Sequence, residues 1–422
     1  MIIVNVFIIS DLIANILFFL WFYNPINSVK KIIRRVPVKK HDQDFMKRQN
    51  RLTVFEIIRH QQPISRASIA KQTGMSPTTV SRIVGELTEE GYLLDSEQVS
   101  SGLGRKSTLI GMIDASVLSV GVELDRSLMS IGIVDLQGLL VCSRQYPRTP
   151  DEAPDLTLER INEAIEQLIQ QHVIDRTRIV GIGVGLPGIV NNEEGIVVFS
   201  VQLAWKNVPL AARLKELTGF EVAVDNELKV KALAEHLKGA AVGSSRTALL
   251  GFGQGVGSAV ILQGEIYRGV MNSAGEIGHT TMDPNGMMCE CGKAGCLQTY
   301  ININSLLSEG NRIRPICTIE ELFAAKDAGE QWAMHLIERA LMYMAITINN
   351  VVCMYNPDSV ILSGELVDKF PDIYEEVEKL YLARFTWEPL RGSFTLHRSL
   401  LNEKGVIIGS GLLSQNRFFA LD

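Results

Sequence analysis

Cys289, Cys291 and Cys296 fall within eight consecutive positions, and His279 stands ten residues before the first of them. Gly286, Gly292 and Gly295 lie among these residues and allow a tight loop to turn sulfur inward. Three thiolates and one imidazole make a closed tetrahedral set for zinc, the arrangement of structural sites. The spacing is too irregular for a zinc finger. The plain alternative is three ordinary thiols in a loop, although cysteine prefers a core to a run of glycines. A disulfide would require an oxidising compartment and would leave the third sulfur unpaired. Cys142, Cys317 and Cys353 stand in apolar or mixed surroundings and are expected to be buried thiols.

A loop of this kind needs a body to hold it. At 422 residues the chain is too long for one compact core, so two or three domains are expected. Hydrophobic residues make up 46% and charged residues 21%, which describes a globular protein. The formal charge of −6 argues against a chain that is basic throughout, yet it leaves room for one small basic module. Six cysteines with three clustered fit a reducing cytoplasm.

Residues 1–23 are strongly apolar and long enough to cross a bilayer as a helix. Asp11 and two asparagines weaken that reading. Lys30, Lys31, Arg34, Arg35, Lys39 and Lys40 follow and would hold the C-terminal side in the cytoplasm. Charge after the apolar run, with no small-residue cleavage site, is wrong for a cleaved signal peptide. Either this extension, residues 1–43, is a membrane anchor, or translation begins near Met46; the second reading is favoured. The expected location is the cytoplasm, or its membrane face if the anchor is real.

Residues 44–112 have the grammar of a winged helix-turn-helix. Leu52, Val54, Phe55, Ile57 and Ile58 set a helical period in the first helix. Pro63 and Ser65 mark a turn, residues 66–73 a second helix with Ile69 and Ala70 inward, and Gly74 a break. Ser76 is an N-cap and Pro77 a first helical residue for a third helix over 77–90. Val80, Ile83, Val84 and Leu87 form its inner face, and Thr78, Thr79, Ser81 and Arg82 its outer face. A polar-tipped second helix after a glycine turn is the unit that reads the DNA major groove. The run 100–107 reads as a hairpin wing, with Arg105 and Lys106 at its tip for phosphate or the minor groove. Glu86, Glu89 and Glu90 fall at the far end of the third helix. The structural alternative is a small bundle used for protein contact.

From Leu118 strands alternate with helices, the pattern of an α/β fold. Three strands precede a long helix over 156–172, then come a buried strand ending at Leu186-Pro187-Gly188 and a strand end at Asp225-Asn226. A second, similar lobe begins near Thr247 and holds a long helix around 332–352 and a strand over 359–362. The expected division of residues 113–422 is lobe one over about 113–237 plus the terminal helix, and lobe two over about 238–408.

The sequence G-E-I-G-H at 275–279, followed by C-E-C-G-K-A-G-C at 289–296, resembles the signature of the ROK family of sugar kinases and sugar-responsive repressors. The resemblance runs from about Met46 to the C-terminus. It implies a two-lobed, actin-like sugar-kinase fold, with zinc on His279 and the three cysteines bracing a sugar pocket. It also implies sugar contacts at Asn226, Glu227, Glu276 and His279, with Gln202 and Gln298 standing where the family commonly has Asn and Glu. The winged module heads the repressors and is absent from the kinases.

Against the kinase pattern, Asp125 and Arg126 replace the glycines of the first phosphate loop. Gln254 replaces Thr in the second loop, 253–257. Glu227 stands in place of the catalytic Asp, and Lys229 replaces a second Asn. A carboxylate displaced by about an ångström can cost roughly a hundredfold in rate. The expectation is therefore a regulator without catalysis or ATP, with a kinase carrying a DNA head as the alternative. The expected partners are operator DNA, a sugar or sugar phosphate, and a second copy of the chain as a homodimer or dimer of dimers; a third reading, implied by one branch of the family, adds a sugar-transporter subunit.

Overall fold

The computed structural model describes residues 43–99, 107–113 and 116–421. The apolar segment 1–23, the basic run after it and the wing-tip pair Arg105 and Lys106 lie outside the described residues.

The first helix, α1 (Gln43–Gln61), is followed by β1 (Ile64–Ser65), α2 (Arg66–Thr73) and α3 (Pro77–Glu89). Gly74 closes α2 with φ of +69°, a backbone state that glycine adopts without strain. Ser76 Oγ accepts the Thr79 amide at 3.1 Å, so α3 starts where the cap and Pro77 place it. Val80, Ile83, Val84 and Leu87 are the buried residues of α3. The strands β2 (Leu93–Val99) and β3 (Ser107–Met112) pair as an antiparallel hairpin, and β1 joins on the other side of β3. Expected helices and hairpin are thus present.

The body contains two five-stranded sheets of the same plan. Lobe one uses β4 (Leu118–Leu124), β5 (Leu128–Asp135), β6 (Leu140–Pro147), β7 (Ile179–Leu186) and, beyond a small sheet, β11 (Val222–Asn226). The small sheet is β8 (Ile189–Asn191), β9 (Ile196–Ser200) and β10 (Trp205–Val208). Helix α4 (Pro154–Gln171) covers lobe one, α5 (Leu210–Thr218) follows β10, and α6 (Glu227–Lys238) follows β11. Lobe two uses β12 (Arg246–Phe252), β13 (Val256–Leu262), β14 (Glu265–Ile266), β15 (Ser359–Ser363) and β16 (Thr395–Arg398). In each sheet the first strand pairs antiparallel with the second and parallel with the fourth. The buried strands are rich in Val, Ile and Leu because both faces are covered.

Lobe two packs against α7 (Gln298–Ile301), α8 (Ile303–Gly310), α9 (Ile319–Asp327), α10 (Gln331–Tyr355), α11 (Glu365–Lys369) and α12 (Pro371–Arg384). Among the described residues, α10 is long and apolar enough to cross a bilayer, and its apolar face is buried in the core of lobe two.

The last helix, α13 (Gly405–Leu421), packs against β4, β7 and α6. Its backbone lies directly on the sheet. A Cβ at Gly121 would sit 1.9 Å from Ile407 O, and one at Gly183 would sit 1.8 Å from Ser410 O. These two glycines are what allow a helix to approach strands so closely. Farther along α13, Phe419 stacks on Phe55 at 3.9 Å and joins the core of the helix-turn-helix.

The cysteine expectation requires correction. Cys317 and Cys353 are exposed and Cys142 is half-buried. Cys353 follows the buried pair Val351 and Val352, so the helical period turns it outward. Cys317 precedes α9, where its amide donates to Glu321 Oε2.

Candidate functional site

The metal loop forms as the spacing suggests. One ligand atom from each of His279, Cys289, Cys291 and Cys296 lies within 4.8 Å of all the others. Cys289 Sγ is 3.7 Å from His279 Nδ1, and Cys291 Sγ is 3.6 Å from Cys296 Sγ. With Zn–S of about 2.3 Å, the edges of a tetrahedron come to nearly these lengths, so the donor set fits zinc. The loop depends on Gly295, where a Cβ would lie 1.5 Å from Asp283 O. Burial pushes the Cys296 thiol up to about 12, and the Lys293 backbone amide draws the exposed Cys291 down.

The sugar-contact residues implied by the resemblance gather at the C-terminal end of β11 and across the gap to lobe two. Asn226 Oδ1 caps α6, accepting the amides of Leu228 at 3.0 Å and Lys229 at 3.4 Å. Its Nδ2 donates to Glu227 Oε2 at 2.7 Å and to Gly188 O at 3.3 Å, which ties the turn after Leu186 to the same corner. Gln202 comes from lobe one and faces the second glycine loop: a Cβ at Gly255 would meet its Nε2 at 3.3 Å. Glu276 is exposed and His279 half-buried. Gln298 is half-buried, and its Nε2 donates to Cys289 Sγ at 3.3 Å. An amide at this position can support a thiolate, which a carboxylate could not.

Charge crowds this corner. Glu227 is pushed up to about 8, first by burial and further by the charges of Glu276, Asp125 and Glu123. Glu123, at the end of β4, is raised to about 7, again first by burial, with Lys231 opposing the shift. Glu365 reaches the second loop, where Gln254 Nε2 donates to its Oε2 at 3.3 Å.

Sequence reasoning missed a cross-lobe cluster. Asp225 is fully buried and pairs with Arg268 at 2.7 Å. Asn272 Nδ2 donates to Asp225 Oδ1 at 3.0 Å and to Val190 O at 2.9 Å. Lys229, whose ammonium form burial disfavours, donates to Asn272 O. The loop after β14 is thereby bound to the strand ends of lobe one. The sequence signal was three charged residues within five positions, Asp225, Glu227 and Lys229, directly after an apolar strand.

On α3, Thr78, Ser81 and Arg82 are exposed on the outer face. Ser76 and Thr79 bond to each other through their hydroxyls at 2.8 Å, so both serve the cap. Arg82 pairs with Glu86, and Glu90 pairs with Arg51. Both acidic side chains are therefore held at the far end of the helix.

Residues 119–416 match the sequence model described as the ROK family, and residues 47–93 match the one described as a winged helix-turn-helix DNA-binding module. The chain is 26% identical over 377 residues to the xylose repressor of Bacillus subtilis, covering 89% of this chain and 97% of that one. It is 29% identical over 335 residues to the DNA-binding transcriptional dual regulator NagC of Escherichia coli, covering 77% and 82%. The crystal structure of a ROK family transcriptional regulator, a homologue of the E. coli MLC protein, superposes with a TM-score of 0.76 at 24% identity, covering 89% of this chain and 98% of that one.

Proposed function

The chain belongs to the ROK family, and we propose that it is a DNA-binding repressor of carbohydrate-metabolism genes, switched by a sugar or sugar phosphate in the cleft between its lobes. The observation that carries this reading is the shared core: Phe419 of α13 stacks inside the helix-turn-helix, while the start of α13 lies on the sheet that ends at the cleft. A ligand that moves α13 therefore moves the DNA head. Such a ligand shifts the equilibrium only by its differential affinity for the two arrangements. The relatives named as a xylose repressor and as a DNA-binding transcriptional dual regulator support the same reading.

Thr78, Ser81 and Arg82 face base edges or phosphates, and the wing tip with Arg105 and Lys106 adds backbone contacts. The head is residues 44–112 and the body 113–422. A homodimer or dimer of dimers presents paired heads to a two-fold operator. The cytoplasm is the proposed compartment, and a sugar-transporter subunit the proposed protein partner.

Zinc is the metal that the loop takes, and with four protein donors it supplies cross-linking rather than catalysis. His279 faces the sulfurs through Nδ1, which leaves Nε2 for a sugar hydroxyl. Asn226, Glu227, Glu276, Gln202 and Gln298 complete the hydroxyl-binding set. Catalysis is not expected, because Glu227 and Asp125 stand where a kinase needs Asp and glycine.

The test is fluorescence anisotropy on operator fragments selected from the genome, with and without a panel of sugars and their phosphates. Selective duplex binding that one of these ligands weakens is the expected result. Binding with no preference among duplexes would sink the reading. The second reading, a sugar kinase with a DNA head, predicts ATP turnover on some hexose in a coupled assay.

A further inference from the structure

Resting on the reading of the cleft as a sugar site, we propose that it is built to refuse phosphate. The switching ligand is then a neutral monosaccharide, and neither a sugar phosphate nor a nucleotide.

A phosphate site needs convergent free N–H groups or uncommitted cations. Among the described residues, five carboxylates stand around the corner where a phosphate would approach. Glu123 and Asp125 stand at the first loop, where Asp125 Oδ1 already accepts the Arg126 amide. Glu365 stands over the second loop, bonded to Gln254. Glu227 and Glu276 lie toward the metal loop, and the charge of Glu276 opposes ionisation of Glu227.

Four nearby cations are committed elsewhere. Lys231 pairs with Asp368 at 3.5 Å, Arg268 with Asp225 at 2.7 Å, and Lys369 with Glu365 at 2.9 Å. The Lys229 ammonium is turned onto Asn272 O. The start of α6 is the natural anion site of this corner, yet Asn226 Oδ1 has taken its amides. Arg126 is exposed and adjoins Asp125, so that loop gains no net positive charge.

The raised Glu227 and Glu123 carboxyls fit the same picture, since a corner that protonates its own acids resists further negative charge. Sugar hydroxyls carry no charge and both donate and accept, which suits carboxyls, amides and an imidazole.

The experiment is calorimetry and thermal shift on the full chain. The probes are D-xylose, D-glucose and N-acetylglucosamine, the 6-phosphates of the two hexoses, and Mg-ATP. Inorganic phosphate controls for anions on the DNA head. A parent sugar is expected to bind about a hundredfold or more tighter than its phosphate ester. In Asp125→Asn, the ratio of ester to parent affinity is expected to rise about tenfold. An ester that binds as tightly as its parent, or a ratio that Asp125→Asn leaves unchanged, overturns phosphate exclusion while a sugar-switched repressor still stands. Binding of none of these ligands overturns both.

Discussion

Arg59 on α1 donates to Gln415 Oε1 on α13 at 2.9 Å, and both side chains are buried. Gln415 Nε2 in turn donates to Ser119 Oγ at 2.9 Å and Asp135 O at 2.8 Å in lobe one. One amide therefore joins the helix-turn-helix to the sheet. At the other end of α13, a Cβ on Gly409 would lie 1.9 Å from Val230 O, one turn after Glu227. Cleft and head thus lean on opposite ends of one helix.

Gln415→Leu should uncouple them. The buried guanidinium loses an acceptor, which costs about 1–3 kcal/mol in urea unfolding. Operator affinity without sugar should change little, while release by sugar weakens about fivefold or more. An intact sugar response measured by anisotropy would refute the coupling role.

Cys289→Ser should lower bound zinc, measured by mass spectrometry of the metal, from about one per chain to a small fraction. In the proposed switch the loop sets Glu276 and His279 against the sugar, so sugar affinity and repression should weaken together. Full zinc occupancy with normal regulation would remove the loop from the switch.

Glu227 also governs pH dependence. Its folded-state value, about 8, lies above the ordinary carboxyl value of 4.5. Between those two values the folded protein holds a proton that the unfolded chain has released. Stability from this group is therefore greatest at the acid end of the window and falls as pH rises toward 8. Glu123 acts in the same direction up to about 7. Glu227→Gln should flatten the decline of Tm between roughly pH 6.5 and 8.5. Parallel slopes in the two proteins would show that Glu227 does not titrate in that window.

Arg82→Ala should weaken operator binding by about 1–3 kcal/mol. Its stability cost should stay within about 0.5 kcal/mol, because the exposed pair with Glu86 contributes little. A variant that binds the operator as well as the parent would take Arg82 off the DNA face.

The metal loop was legible because its four ligands lie between positions 279 and 296, with glycines that allow a tight path. The recognition helix was legible for a similar reason: Gly74, Ser76 and Pro77 act on their immediate neighbours. Gln298 shows where such reading stops. The residue was visible, yet only the folded loop shows its amide on Cys289.

The amino-acid order by itself determined the local devices of this protein: caps, turns, buried strand runs and a metal-ligand spacing. Each depends on groups a few residues apart, so a short stretch carries the whole cause. The tertiary structure alone decided the electrostatics of the cleft and the path to the head. Glu123, Asp225, Arg268, Asn272 and Glu365 come from separate segments, and they meet because two sheets and a returning helix pack together. Coulomb forces and burial depend on distance in space, which chain order does not record.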